Sequence, residues 1–141
     1  MRTQEINKAF ESYSRRFKGP FPRDMIPNLG FNEATIINTD ASTDPGQHWI
    51  ALFKDKTGRV TYFDSFGLPP LHEDIIDWLC GNSNEWIYNN TTLQHIDSRK
   101  CGQYCILFLF AMFESIALQE FLSLFTNNTK VNELLMRIYE K

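Results

Sequence analysis

The chain has 141 residues, 43% hydrophobic and 14% aromatic, with a formal net charge of −3 at pH 7. That length and apolar share supply one sizeable core and exclude an intrinsically disordered chain, so a single domain over residues 1–141 is expected. The mild acidity gives nucleic acid and anionic membranes no global attraction, and DNA binding would have to rest on local patches such as Arg15, Arg16 and Lys18.

The three cysteines, Cys80, Cys101 and Cys105, are an odd set at uneven spacing, which fits a reducing compartment better than a disulfide scaffold. No segment approaches the roughly 18 consecutive apolar residues of a membrane span, and the N-terminus has no continuous apolar signal core. A soluble, intracellular monomer is expected. Asn89-Asn90-Thr91 matches a glycosylation acceptor pattern, which carries no weight without secretion.

In chain order, Ile6, Phe10, Tyr13 and Phe17 recur at helical spacing behind Thr3, predicting a first helix over 3–17 that Gly19-Pro20-Phe21-Pro22 ends. Ala34-Thr35-Ile36-Ile37 reads as a strand, and 38–46 as a polar loop. Residues 48–53 and 60–63 read as a β-hairpin joined through Gly58. Ile75, Ile76 and Leu79 predict a short helix running to Gly81. Residues 85–88 and 91–94 look extended. The wholly apolar run 105–112 predicts a helix at the centre of the core. Asn128 or Thr129 would cap a last helix with Val131, Leu134, Leu135 and Ile138 on one face.

A thiolate nucleophile needs a base, surroundings that lower its pKa and donors aimed at the oxyanion. Cys101 precedes Gly102 and opens the buried helix, whose free amides and dipole favour a thiolate. Cys105, one turn further in, reads as inert core. His48 stands between a turn and an apolar strand, where it could present its imidazole to a cleft. Asp64 ends the paired strand, and hairpin topology could bring it beside His48 to accept the Nδ1 proton. Gln94, seven residues before Cys101 at the end of an expected strand, could donate to the oxyanion. Trp49, with Gly46 and Gln47, could line the cleft. Each of these residues also has a plainer reading: Cys101 and Trp49 as core, Asp64 as a turn residue, Gln94 as an exposed strand end. A metal site drawn from Cys101, Cys105, His48, His72 and His95 is a further alternative, weak because no second paired-ligand motif is present.

Read together, Ile36-Ile37-Asn38-Thr39, Gly46-Gln47-His48-Trp49, Tyr62-Phe63-Asp64-Ser65-Phe66-Gly67, Gln94 and Cys101-Gly102-Gln103-Tyr104-Cys105 resemble the adenovirus-type maturation proteases, adenain-like cysteine proteases related to the ubiquitin-like-modifier proteases. The resemblance implies an α+β, papain-like cysteine protease fold in adenain-type order: a central mixed sheet flanked by helices, with the nucleophile at the N-terminus of a buried helix. It implies Cys101 as nucleophile, His48 as general base and acid, Asp64 as orienting acid and Gln94 as oxyanion donor, with no metal. The implied activity is cleavage of viral or virus-like capsid and polyprotein precursors at small-residue, Gly-containing sites through a thioester. Removal of a ubiquitin-like modifier, or a non-catalytic protease-fold binding protein, is the alternative. The source would be a virus or virus-like mobile element, acting in the host nucleus or cytoplasm and packaged in virions. Members of this family use a peptide and DNA as activators. Neither cofactor is expected to be required here.

Overall fold

The computed structural model describes residues 1–39 and 48–140. Its frame is a five-stranded mixed sheet in the order β1 (Phe17–Pro22), β2 (Glu33–Asn38), β3 (Trp49–Lys54), β4 (Arg59–Phe63), β5 (Glu85–Tyr88). The outer pairs β1/β2 and β4/β5 run parallel, and the two inner pairs antiparallel. The inner strands are buried on both faces, which explains why they read as continuous apolar runs.

Strand alternation divides the core in two. Ile36, Ala51, Phe53 and Phe63 face α3 (Cys101–Phe113), α4 (Leu118–Leu122) and α5 (Thr129–Tyr139), together with Ile6 and Phe10 of the N-terminal segment. Ile37, Ile50, Leu52, Val60 and Tyr62 face the opposite way, onto Ile75, Trp78 and Leu79 of α2 (Glu73–Asn82). The sheet is thus sandwiched, and α3 lies across β3 with nine buried residues. Phe63 of β4 stacks on Phe108 of α3 at 4.5 Å between ring centroids. That contact fixes the end of β4 against the middle of the central helix.

The hairpin, the apolar central helix, the strand at 33–38 and the last helix follow the sequence reading. Asn128 caps α5 by accepting from the amides of Lys130 and Val131. Other expectations fail, most of them for identifiable reasons. The first helix, α1, covers only Thr3–Ala9, followed by a 3-10 turn over Glu11–Tyr13, and Thr3 lies inside it instead of capping it. Phe17 opens β1, and its ring stacks on Phe10 at 4.2 Å; the aromatic spacing reported a tertiary contact, which helical periodicity mimics. Gly19-Pro20-Phe21-Pro22 belongs to that edge strand, where prolines cost no ladder bond and Gly19, at φ +102°, supplies the bulge. Residues 91–94 form no strand. The amides of Leu93 and Gln94 both donate to one carbonyl, that of Ser65, in place of a regular ladder. The helix α2 runs past Gly81 to Asn82.

Candidate active site

The site is assembled where the ends of β3 and β4 meet the first turn of α3. His48 immediately precedes β3, with its carbonyl paired to the amide of Thr39 at 2.8 Å. Asp64 immediately follows β4. Because the hairpin is antiparallel, these two ends adjoin, and His48 Nε2 lies 3.0 Å from Asp64 Oδ1. Sequence reasoning had assigned that contact to Nδ1. The imidazole also has Cys101 as a side-chain hydrogen-bond partner. Asp64 Oδ1 also accepts from the amide of Phe66 at 2.8 Å. The Phe66 ring covers the imidazole at 5.2 Å between centroids.

Cys101 is the first residue of α3 and is buried. The backbone amide of Trp49 points at its sulfur, 3.5 Å away. The next carbonyl, that of Trp49, accepts from the Cys105 thiol at 3.4 Å. Trp49 therefore serves the site through its backbone, while its side chain packs, partly buried, against the core as its plainer reading held.

Two opposing effects set the protonation of this pair. Burial disfavours the His48 imidazolium, but its hydrogen bonds to Asp64 and Cys101 and the negative charge of both outweigh that, raising its pKa from 6.5 to about 9. Burial also works against a Cys101 thiolate. Hydrogen bonds from His48 and the Trp49 amide, the imidazolium charge and the Gly102 amide prevail, and the thiol titrates below its ordinary value. Cys105 goes the other way: full burial pushes its thiol well up, in keeping with inert core.

Gln94 is 1% exposed, so the exposed strand-end reading does not hold. Its Oε1 accepts from Ser65 Oγ at 2.5 Å, and its Nε2 donates to the Ser98 carbonyl at 2.8 Å. Three residues that sequence reasoning passed over hold this corner together. Asn89, seen only as part of a glycosylation pattern, is 4% exposed. It accepts from the Asp64 amide at 3.0 Å and donates to the Asp64 carbonyl at 2.7 Å. Ser65 joins Asp64 to Gln94. Asn132 of α5, fully buried, donates to the Leu93 carbonyl at 3.0 Å. An Asn or Ser beside another polar residue gives no sequence signal for such bonds; only burial reveals them.

Gly46 and Gln47 lie outside the described residues. Among the described residues no group of three or more His, Cys, Asp or Glu side chains could hold a metal ion, and no helix is long and apolar enough to cross a membrane. A thiol, an imidazole and a carboxylate stand in series at the start of a helix, with a buried amide on the adjoining loop. Chemically, this is the constellation of an activated sulfur nucleophile.

No family model matches the chain. It is similar to a protein of Acanthamoeba polyphaga mimivirus named as a thiol protease, 34% identical over 100 residues, covering 63% of this chain and 33% of that protein. It is also similar to a cysteine protease of African swine fever virus, 29% identical over 100 residues and covering 62% and 36%. In other isolates of that virus a relative 28% identical is named a SUMO-1 cysteine protease. The match spans about a third of the length of these curated relatives. The crystal structure of the African swine fever virus protease superposes on 96% of this chain and 65% of its own, with a TM-score of 0.66 at 14% identity. This is a likeness of fold: α+β, a mixed sheet with helices on it.

Proposed function

We infer that the chain is a viral cysteine endopeptidase domain, papain-like in adenain-type order, in which Cys101 is the nucleophile and His48 the general base and acid. Asp64 orients and charges the imidazole, and Gln94 donates to the oxyanion beside the backbone N–H of Cys101. The observation that carries this reading is the imidazole of His48, held between Asp64 Oδ1 at 3.0 Å and the Cys101 thiol.

In the reaction this implies, the Cys101 sulfur forms a bond to the scissile carbonyl carbon and the π electrons move onto oxygen, where the Gln94 and Cys101 N–H groups receive the charge. The His48 imidazolium gives its proton to the departing amine as the C–N bond breaks, leaving a thioester. Neutral His48 then takes a proton from water, the hydroxide adds to the thioester, and the sulfur leaves as thiolate. Every proton transfer written here passes through His48, so these steps call for no metal or cofactor.

The proposed substrates are capsid or polyprotein precursors cut at small-residue, Gly-containing sites, on the resemblance of the site motifs to the adenain-like proteases. A second reading, release of a ubiquitin-like modifier, is favoured by the SUMO-1 protease name carried by African swine fever virus relatives. Incubating the purified chain with a Gly-Gly-aminocoumarin peptide, a viral capsid precursor and a SUMO conjugate separates the two. Turnover in the wild type that is abolished in Cys101→Ser and in His48→Ala is expected. Turnover that survives Cys101→Ser refutes the assignment.

A further inference from the structure

A side-chain amide is ambiguous in a way a backbone N–H is not: a half-turn exchanges its oxygen for its nitrogen. Gln94 lies on an irregular segment, so neither a helix nor a ladder restrains it. Its orientation is set by two partners. Ser65 Oγ donates to Oε1 at 2.5 Å, and one N–H of Nε2 is given to the Ser98 carbonyl at 2.8 Å. One amide proton remains. Ser65, fully buried, also receives the backbone amides of Leu93 and Gln94 on its carbonyl, at 2.8 and 2.9 Å. Its chain neighbour Asp64 is in turn clamped on both backbone groups by Asn89.

We propose that Ser65 is a positioning residue of this site: its hydroxyl, together with the acceptor-only Ser98 carbonyl, holds the amide orientation in which Gln94 offers N–H to the oxyanion, and its carbonyl ties Gln94 to the strand end that carries Asp64. With the amide reversed, Oε1 would face the Ser98 carbonyl and an acceptor would face the developing negative charge. Both contacts are repulsive. A Ser65 side chain without its hydroxyl leaves Oε1 buried with no donor and the orientation held by the Ser98 carbonyl alone. This inference rests on Gln94 being the oxyanion donor.

The test measures kcat and KM on the Gly-Gly-aminocoumarin peptide, and the pH dependence of Cys101 alkylation by iodoacetamide, in the wild type, Ser65→Ala, Ser65→Thr, Gln94→Ala and the Ser65→Ala/Gln94→Ala double variant. Alkylation reports the thiol–imidazole pair and uses no oxyanion donor, so it serves as the check on fold. Removing one oxyanion donor is expected to lower kcat by about 100-fold in Gln94→Ala. Loosening the amide in Ser65→Ala is expected to lower kcat about tenfold, the scale of one buried unmade hydrogen bond, with KM and alkylation unchanged. The double variant is expected to be no slower than Gln94→Ala, because Ser65 acts only through that side chain. Ser65→Thr, which keeps the hydroxyl, is expected to hold kcat within about threefold of the wild type. Losses that multiply in the double variant, or alkylation that falls with kcat in Ser65→Ala, overturn the proposal. If Gln94→Ala retains full kcat while Cys101→Ser is inactive, the Gln94 assignment fails and the Ser65 role with it. A wild-type chain with neither turnover nor an activated Cys101 overturns the protease reading itself.

Discussion

Asp64→Asn removes one charge and almost no volume, and so isolates what the carboxylate does for His48. In the wild type the imidazolium persists well above its ordinary 6.5 and is lost only as pH rises through about 9. A hydrogen bond to a charged group contributes about 1.5–3 kcal/mol, and about 1.36 kcal/mol corresponds to one pKa unit. Losing it should bring the His48 titration from about 9 down to about 7–8. At pH 8 the imidazolium fraction would fall from about nine-tenths to between about a tenth and a half. With the imidazolium goes the charge that lowers the Cys101 pKa, so thiolate formation shifts to higher pH. The chain has three histidines, His48, His72 and His95, few enough for the ring carbon–proton signals to be followed individually by NMR across pH 5–10. In parallel, the rate of Cys101 alkylation against pH should move its midpoint upward. A His48 titration that stays near 9 in Asp64→Asn would refute the argument, since the remaining partner, Cys101, would then suffice to hold the proton.

Three further outcomes are expected. Gly67 has φ +74°, and a Cβ there would lie 2.6–2.8 Å from the backbone of Thr91 and Thr92, so Gly67→Ala should cost about 2 kcal/mol or more in urea unfolding. Asn132→Ala leaves the carbonyls of Leu93 and Thr126 and the amide of Thr126 without their partner, and should lower stability by about 2–3 kcal/mol in the same assay. Peptide mapping after brief iodoacetamide treatment of the folded chain should find Cys105 unmodified, with labelling appearing only when urea exposes it.

The parts legible in the sequence were those in which spacing and chemistry coincide. The segment 48–64 shows the hairpin's strands, its glycine and its two chemical residues within one local unit, so the meeting of His48 and Asp64 followed from antiparallel pairing alone. Cys101 was legible because an apolar helix must begin somewhere and a Cys-Gly pair marks the place. The start of α1 was legible, but its end was not, because Phe17 stacking on Phe10 across a turn has the same spacing as a helical face. The helix α4, only Leu118–Leu122, is too short for a periodic signal; it is held by Phe121 packing edge-on to Phe63 and Phe108. The orientation of the His48 ring, and the roles of Ser65, Asn89 and Asn132, depend on three-dimensional partners that no spacing encodes.

The site thus joins two kinds of support. His48, Asp64 and Cys101 stand at the ends of elements whose positions are fixed by apolar packing: β3 and β4 buried on both faces, and α3 locked on through Phe108 and Phe63. Gln94 stands on residues 89–100, which form no helix or strand and are fastened by polar side chains from three directions, Ser65, Asn89 and Asn132. Apolar packing is spread over many small contacts, whereas a hydrogen bond depends steeply on distance and angle and, once lost in a buried place, leaves an unpaired group. The thiol–imidazole pair should therefore be the robust half of the machinery and the oxyanion side the fragile half. A substrate, activator or mutation that reorders residues 89–100 would change turnover while leaving the nucleophile as reactive as before.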